Sequence, residues 1–332
     1  MFLVGYNPSR EERYVKKFMS QLVYILLNIV LTPAYLLAFP FYQIPILLRR
    51  GKVSGTAYEP FNARLLYHLL GSRLDPTTLQ LAAGLPATNA VVMTLMVRPL
   101  AWASRITGHL PDVFTYPAPR PVATAGVVAL RCEFLDKALD DHVEAGDQVV
   151  ILGAGWDTRA YGRLKELGVA CFEVDAPATQ AVKRAAIETT RLDAAHVTFV
   201  SCDFNRQSWC AALVAQGFDV ATRTFVLWEG ITMYLNADTI ASTLRVVSTF
   251  PAGSRIAFDY FAHEWLFDTM AGKMSRWAVR ATYGEPITFG FRTKPDLEAG
   301  LGAFLTENGL NLGKSEPFGV GPAGGVALAA KP

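Results

Sequence analysis

Hydrophobic positions along this chain fall into two regimes. From Leu22 to Leu48 the run LVYILLNIVLTPAYLLAFPFYQIPILL carries no charge, with Lys16 and Lys17 before it and Arg49, Arg50 and Lys52 after it. About 20 apolar residues cross a bilayer as a helix, so the run predicts a membrane-embedded segment over residues 22–48. Pro33, Pro40 and Pro45 each remove a backbone donor and bend the chain. Basic residues at both ends favour a hairpin or an interfacial helix over a straight span. A buried core helix and a cleaved signal peptide are the competing readings. The long charged leader and the lack of a small-residue cleavage site argue against the second.

The other regime begins at Gln148. There short apolar runs alternate with helical patterns. The runs QVVILGAG (148–155), ACFEVD (170–175), VTFVSCD (197–203), TFVLWEG (224–230), SRIAFDYF (254–261) and GGVALAAK (324–331) read as strands. Helices fit at about 157–167, 177–190, 208–216 and 237–250. Strands apolar on both faces with helices between them predict a doubly wound, mostly parallel α/β sheet. Between the regimes lies a second uncharged stretch, Pro76 to Val97, interrupted by Gly84, Pro86 and Asn89. It reads as a helical cap, with a second membrane-contacting face as the alternative. A proline-rich linker at 111–121 and a helix from Val122 to about Val143 follow. The expected organisation is a hydrophobic N-terminal segment (1–52), a cap and linker (53–121) and an α/β domain (122–332).

Composition narrows the chemistry. A net charge of +2 gives no footprint for nucleic acid. Cys132, Cys171, Cys202 and Cys210 form no C-x-x-C pair and the histidines do not cluster, so neither a metal site nor a disulfide framework is expected.

In doubly wound sheets, ligands bind beyond the carboxyl ends of the strands. The first strand ends in Gly153-Ala154-Gly155, where the missing Cβ atoms allow a sharp turn and a close ligand. A dinucleotide fingerprint would require glycine at 158, where Thr158 stands. Asp175, with Glu173 two residues earlier, ends the second strand and suits the two hydroxyls of a ribose. Asp203 and Phe204 end the third strand, where an acid and a ring could meet adenine, or the acid could cap the next helix. Glu229 ends the fourth strand, where a carboxylate suits an ammonium or sulfonium. Trp228, Met233 and Tyr234 read as core or as substrate wall. Arg131, on the preceding helix, could clamp a carboxylate bidentately. Arg159 reads as structural, paired with Asp157 or capping its own helix.

At these residues the chain resembles the leucine carboxyl methyltransferase family of class I S-adenosylmethionine-dependent methyltransferases, including its polyketide O-methyltransferases. The resemblance runs through VVILGAGWDTRAYG, FEVDAPATQAVKR, SCDF and FVLWEGITMYL, and more loosely GEPITFGF at 284–291. It covers roughly residues 122–292. It implies a Rossmann-like seven-stranded methyltransferase sheet with S-adenosylmethionine as cofactor. By position, Gly153 and Gly155 would line the methionine part and Asp175 would hold the ribose. Asp203 and Phe204 would lie at the adenine, Glu229 near the amino group and sulfonium, and Arg131 at the carboxylate. The long uncharged segment at 22–48 departs from the family and suggests a lipophilic acceptor.

The expected activity is O-methylation of a carboxylate or hydroxyl on a hydrophobic small molecule, at a membrane and with the catalytic domain facing the cytoplasm. A hydroxyl acceptor usually requires a base. Tyr260, His263 and Glu264, around the end of the fifth strand, are the candidates, with a plain helix-start histidine as the other reading of His263. The rival readings are a nicotinamide-dependent oxidoreductase and a non-catalytic membrane-anchored scaffold.

Overall fold

The computed structural model describes residues 10–204, 206–319, 321 and 323–332. The first nine residues of the expected N-terminal segment therefore lie outside the described residues. Helix α1, Arg10–Leu48, is 39 residues long and continuous through Pro33, Pro40 and Pro45. At 1.5 Å per residue it extends about 58 Å. The hairpin expected from the flanking charges is not formed. One reason is visible at Pro45, which has no N–H to give to the carbonyl of Phe41. The Asn89 side chain donates to that carbonyl instead, at 3.1 Å. The inner face of α1 buries Tyr24, Ala38 and Ile46, while most of its large side chains, from Tyr14 to Leu48, are exposed.

Helix α2 (Tyr58–Leu70) and helix α3 (Pro76–Ala82) follow. α3 and the next helical stretch, Pro86–Thr107, meet at a 98° bend. Their residues Leu81, Leu85, Val92 and Val97 are buried, so this stretch caps the sheet with its apolar side inward. Gly84 fits the cap onto the helix Pro177–Thr190: a Cβ there would lie 2.6 Å from the carbonyl oxygen of Ala186.

The sheet has seven strands in the order β3-β2-β1-β4-β5-β7-β6. They are β1 Gln148–Leu152, β2 Ala170–Asp175, β3 Val197–Ser201, β4 Thr224–Trp228, β5 Arg255–Phe261, β6 Asn311–Phe318 and β7 Gly324–Ala330. β1 to β5 run parallel, and β7 inserts antiparallel between β5 and β6. β1 and β4 are buried along their whole length, as expected of central parallel strands with helices on both faces. β6, NLGKSEPF, was not visible as a strand in the sequence. It is an edge strand with Pro317 and a register shift between Leu312 and Lys314, and edges tolerate polar residues and proline. One hydrophobic cluster runs from Ile46 through Phe61 and Leu81 to Val149 and Val326, so cap and sheet share a core.

Gly84→Val should therefore loosen the cap without touching the sheet. The expected loss is about 1–3 kcal/mol, the usual cost of overpacking a tight contact, read as a lower midpoint in urea denaturation.

Candidate active site

Between β1 and β4 the strand order reverses, and a cavity of about 530 Å³ opens at the carboxyl ends of the strands there. Gly153, Gly155, Asp175, Arg131 and Glu229 all line it.

The glycine turn begins with Gly153 at φ 66° and Gly155 at φ 40°, in the left-handed region that favours glycine. The ground for glycine differs in part from expectation. A Cβ on Gly153 would lie 2.5 Å from Cδ1 of Ile231, and one on Gly155 would lie 3.2 Å from Cβ of Ala57. Protein side chains, as well as the cavity, press on this turn. Asp175 fastens it: its Oδ2 accepts from the Gly155 N–H at 2.5 Å and its Oδ1 from the Ala176 N–H at 2.6 Å. Burial raises the Asp175 carboxyl from 3.8 to about 6, against the lowering effect of those two N–H groups. Glu173, by contrast, points into the protein, where its Oε2 lies 2.7 Å from Lys183 Nζ.

Glu229 is the centre of a buried charge network. Its Oε2 accepts from Arg64 at 2.5 Å and from Arg159 at 2.7 Å, and Arg131 Nε lies 3.4 Å from Oε1. Burial alone would raise the Glu229 carboxyl, but Arg64, Arg159 and Arg131 hold it well below the usual carboxylate range. Arg159 also binds Asp157 at 2.5 Å and Asp136 at 2.6 Å, while Arg131 reaches Asp259 at 3.3 Å. Arg73 joins Asp136 to Asp75, each at 2.8 Å. Five acids thus face four arginines. Glu229 Oε1 and Arg131 Nε face each other as an ion pair at 3.4 Å, both atoms are buried, and neither makes a hydrogen bond to a third group. Both residues line the cavity, so this pair stands at its wall.

The roof is the loop after α1, held by Glu285. Its Oε1 accepts from the N–H groups of Gly55 at 2.6 Å and Thr56 at 3.3 Å, and its Oε2 from the hydroxyls of Thr56 at 2.6 Å and Ser54 at 3.3 Å. Arg64 and Glu285 were missed in the sequence. Arg64 had a signal, as the one arginine inside the apolar helix FNARLLYHLL. Glu285 had only its place in the block at 284–291.

The remaining sequence candidates separate. Met233 and Tyr234 line the cavity, whereas Trp228 is core. Asp203 and Phe204 follow β3 and do not line the cavity; Asp203 pairs with Arg206 at 3.4 Å, and Phe204 packs beside the cluster around Trp209. Tyr260 is fully buried in the core on β5. His263 stacks on Phe267 with ring centroids 4.6 Å apart, away from the cavity lining. None of the candidate bases lines the cavity: the alternation along β5 turns Tyr260 into the opposite face of the sheet from Phe261, which does line it, and Glu264, on the helix after β5, accepts from the Thr293 N–H and hydroxyl at 3.2 and 3.0 Å.

Residues 100–248 match the model of the leucine carboxyl methyltransferase family. The match covers a little under half of the chain. The match begins inside the cap and ends before the 284–291 block. A Streptomyces coelicolor protein named "Putative S-adenosyl-L-methionine-dependent methyltransferase" is 31% identical over 180 residues, covering 53% of this chain and 60% of that protein. A Bacillus subtilis protein of the same designation is 35% identical over 165 residues, covering 47% and 53%. The chain thus spans about half to three fifths of the relatives it matches. Among solved structures, magnesium protoporphyrin IX methyltransferase from Synechocystis is 12% identical with a TM-score of 0.40, covering 61% of this chain and 82% of that one. So loose a superposition carries no further comparison.

Replacing Glu229 by Ala should leave Arg64 and Arg159 facing one another without their shared oxygen. The expected cost is about 3–5 kcal/mol, as for other broken buried pairs. Because the native carboxyl is depressed, its contribution is fully present above the unfolded value of 4.5 and is lost only in strong acid. The deficit of the variant should accordingly be constant in denaturant titrations from pH 6 to 8.

Proposed function

We propose that this chain is an S-adenosylmethionine-dependent methyltransferase that esterifies a carboxylate on a hydrophobic small molecule. The observation carrying the reading is Asp175, held at the end of β2 against the Gly155 N–H inside the cavity at the strand reversal. That is where a class I fold needs an acceptor for two ribose hydroxyls. The family match over 100–248 and the names of the relatives support the same cofactor.

The residues present fit that cofactor. S-adenosylmethionine, when bound, supplies an electrophilic methyl group on a sulfonium for in-line displacement. Asp175 would hold the sugar while the glycine turn lets backbone pass close to it. Arg131, which lines the cavity, would meet the carboxylate of the amino-acid part. Glu229, at the cavity wall with its charge shared among Arg64, Arg131 and Arg159, would face the sulfonium and ammonium end of the cofactor. Positioning then supplies most of the acceleration.

The acceptor is read from what the lining lacks. No histidine lines the cavity among the described residues; of its acids, Glu229 and Asp157 are paired with arginines, Asp175 and Glu285 accept from backbone N–H groups, and Glu59 accepts from the Tyr283 hydroxyl at 2.9 Å. A hydroxyl acceptor would have no evident base, whereas a carboxylate is ionised already near neutral pH. Val53, Ile231, Met233, Phe261, Val279 and Ile287 give the cavity an apolar side suited to a hydrophobic body. The exposed α1 beside it supports a membrane location for the chain.

Asp175→Asn should weaken S-adenosylhomocysteine binding by roughly 10- to 100-fold, the worth of a charge-assisted hydrogen bond. In the wild-type protein the carboxylate takes up a proton as pH falls through about 6. Affinity measured by calorimetry should then fall by up to about tenfold per pH unit below that point, and the Asn variant should lose this dependence. The reaction itself is tested by labelled-methyl transfer to hydrophobic carboxylic acids and to the matching alcohols. Base-labile methyl ester from the acids alone is expected; transfer to the alcohols alone would overturn the acceptor class.

A further inference from the structure

Helix Met270–Tyr283 carries a second exposed apolar face that neither the cavity nor the core uses. Met270, Met274 and Trp277 recur at helical spacing and are 73%, 64% and 74% exposed. Ala278 and Ala281 continue the same face outward. A soluble surface does not normally array large apolar side chains in this way. The opposite face is the buried one, with Gly272 packed against the backbone of Trp265 and Leu266 and Val279 on the cavity wall.

Its charges are one-sided. Lys273, Arg276 and Arg280 lie on the helix, and no acidic residue occurs between Asp268 and Glu285. Lys273 and Arg280 are exposed at the flank of the apolar face, whereas Arg276 is partly engaged over the Phe267 ring at 4.1 Å. A helix with Trp and Met on one face and basic residues beside them suits the interface of an anionic bilayer.

The position of this helix gives the face a consequence. Its C-terminal end is joined to the end of α1: Gly51 N–H donates to the Tyr283 carbonyl at 3.2 Å, and Arg50 donates to the Arg280 carbonyl at 2.9 Å. Arg50 and Lys52, both exposed, extend the basic flank there. The loop after α1 and the segment after this helix are the two halves of the cavity roof, clasped through Glu285. The elements with exposed apolar faces are thus the ones that close the site.

We propose that Met270–Tyr283 is an interfacial helix that lies on an anionic phospholipid surface beside α1. The roof of the cavity then rests at the headgroup level, and the acceptor enters between the two helices from the bilayer rather than from water. This deepens the proposed function by naming the source of its acceptor.

The test uses the full-length chain reconstituted into vesicles of phosphatidylcholine with about a third phosphatidylglycerol, with and without bromine on the acyl chains. Bromine quenches a nearby indole, and Trp277→Phe isolates the contribution of Trp277 from the other tryptophans. Quenching that is lost in Trp277→Phe is expected, and it should diminish at least twofold in Lys273→Glu/Arg280→Glu or when phosphatidylglycerol is left out. Equal quenching in wild type and Trp277→Phe would overturn the proposal. So would a Trp277→Asp variant that turns a dimer into a monomer, since a second copy would then be what covers the face. S-adenosylhomocysteine binding, measured in the same samples, reads the methyltransferase assignment separately. Intact binding with unquenched Trp277 rejects only the membrane contact.

Discussion

The carboxylate of Glu229 is the point on which the site depends. One of its oxygens is shared by Arg64 from α2 and Arg159 from just beyond the glycine turn, and the other faces Arg131. Four stretches of chain that are remote in sequence therefore converge on a single group. Each buried charge costs several kcal/mol of lost hydration, recovered only if geometry and pairing are good. Such a network tolerates few alternative arrangements. The end of β4, the first turn after β1 and the cap helix are consequently held in register with one another.

The same logic explains the extension of the network through Asp136, Arg73 and Asp75. Asp75 caps α3 through the Thr78 N–H at 3.1 Å and accepts from the Thr158 hydroxyl at 2.8 Å. Thr158 stands where a dinucleotide site would have its third glycine. Here its hydroxyl ties the turn to the cap, so the residue that argues against a dinucleotide has a structural partner of its own. The cap is thereby bound to the ligand turn by charge as well as by the shared hydrophobic core.

The cavity floor and its roof have different origins. The floor is made of strand ends and follows from the topology. The roof is made by the loop after α1 and the segment around Glu285, brought together by four hydrogen bonds to one carboxylate. Hydrogen bonds at a partly exposed surface are worth less than buried pairs, so the roof is the part of the site most easily opened. It is also the part continuous with the exposed faces of α1 and Met270–Tyr283.

Five parallel strands, β7, the glycine turn and the acid at 175 were legible from local pattern, because burial on both faces forces apolar runs and a left-handed turn demands glycine. The long apolar segment was legible as a helix former, but its path was not: the carbonyl freed by Pro45 is satisfied by Asn89, a partner that only folding supplies. β6 escaped notice because an edge strand may be polar without penalty. The partners of Arg64, Glu229 and Glu285, and the removal of Tyr260 and His263 from the cavity, were decided by tertiary structure alone. A sequence states which groups carry charge, but what each charge touches depends on contacts between residues far apart along the chain, and those exist only once the layers have packed.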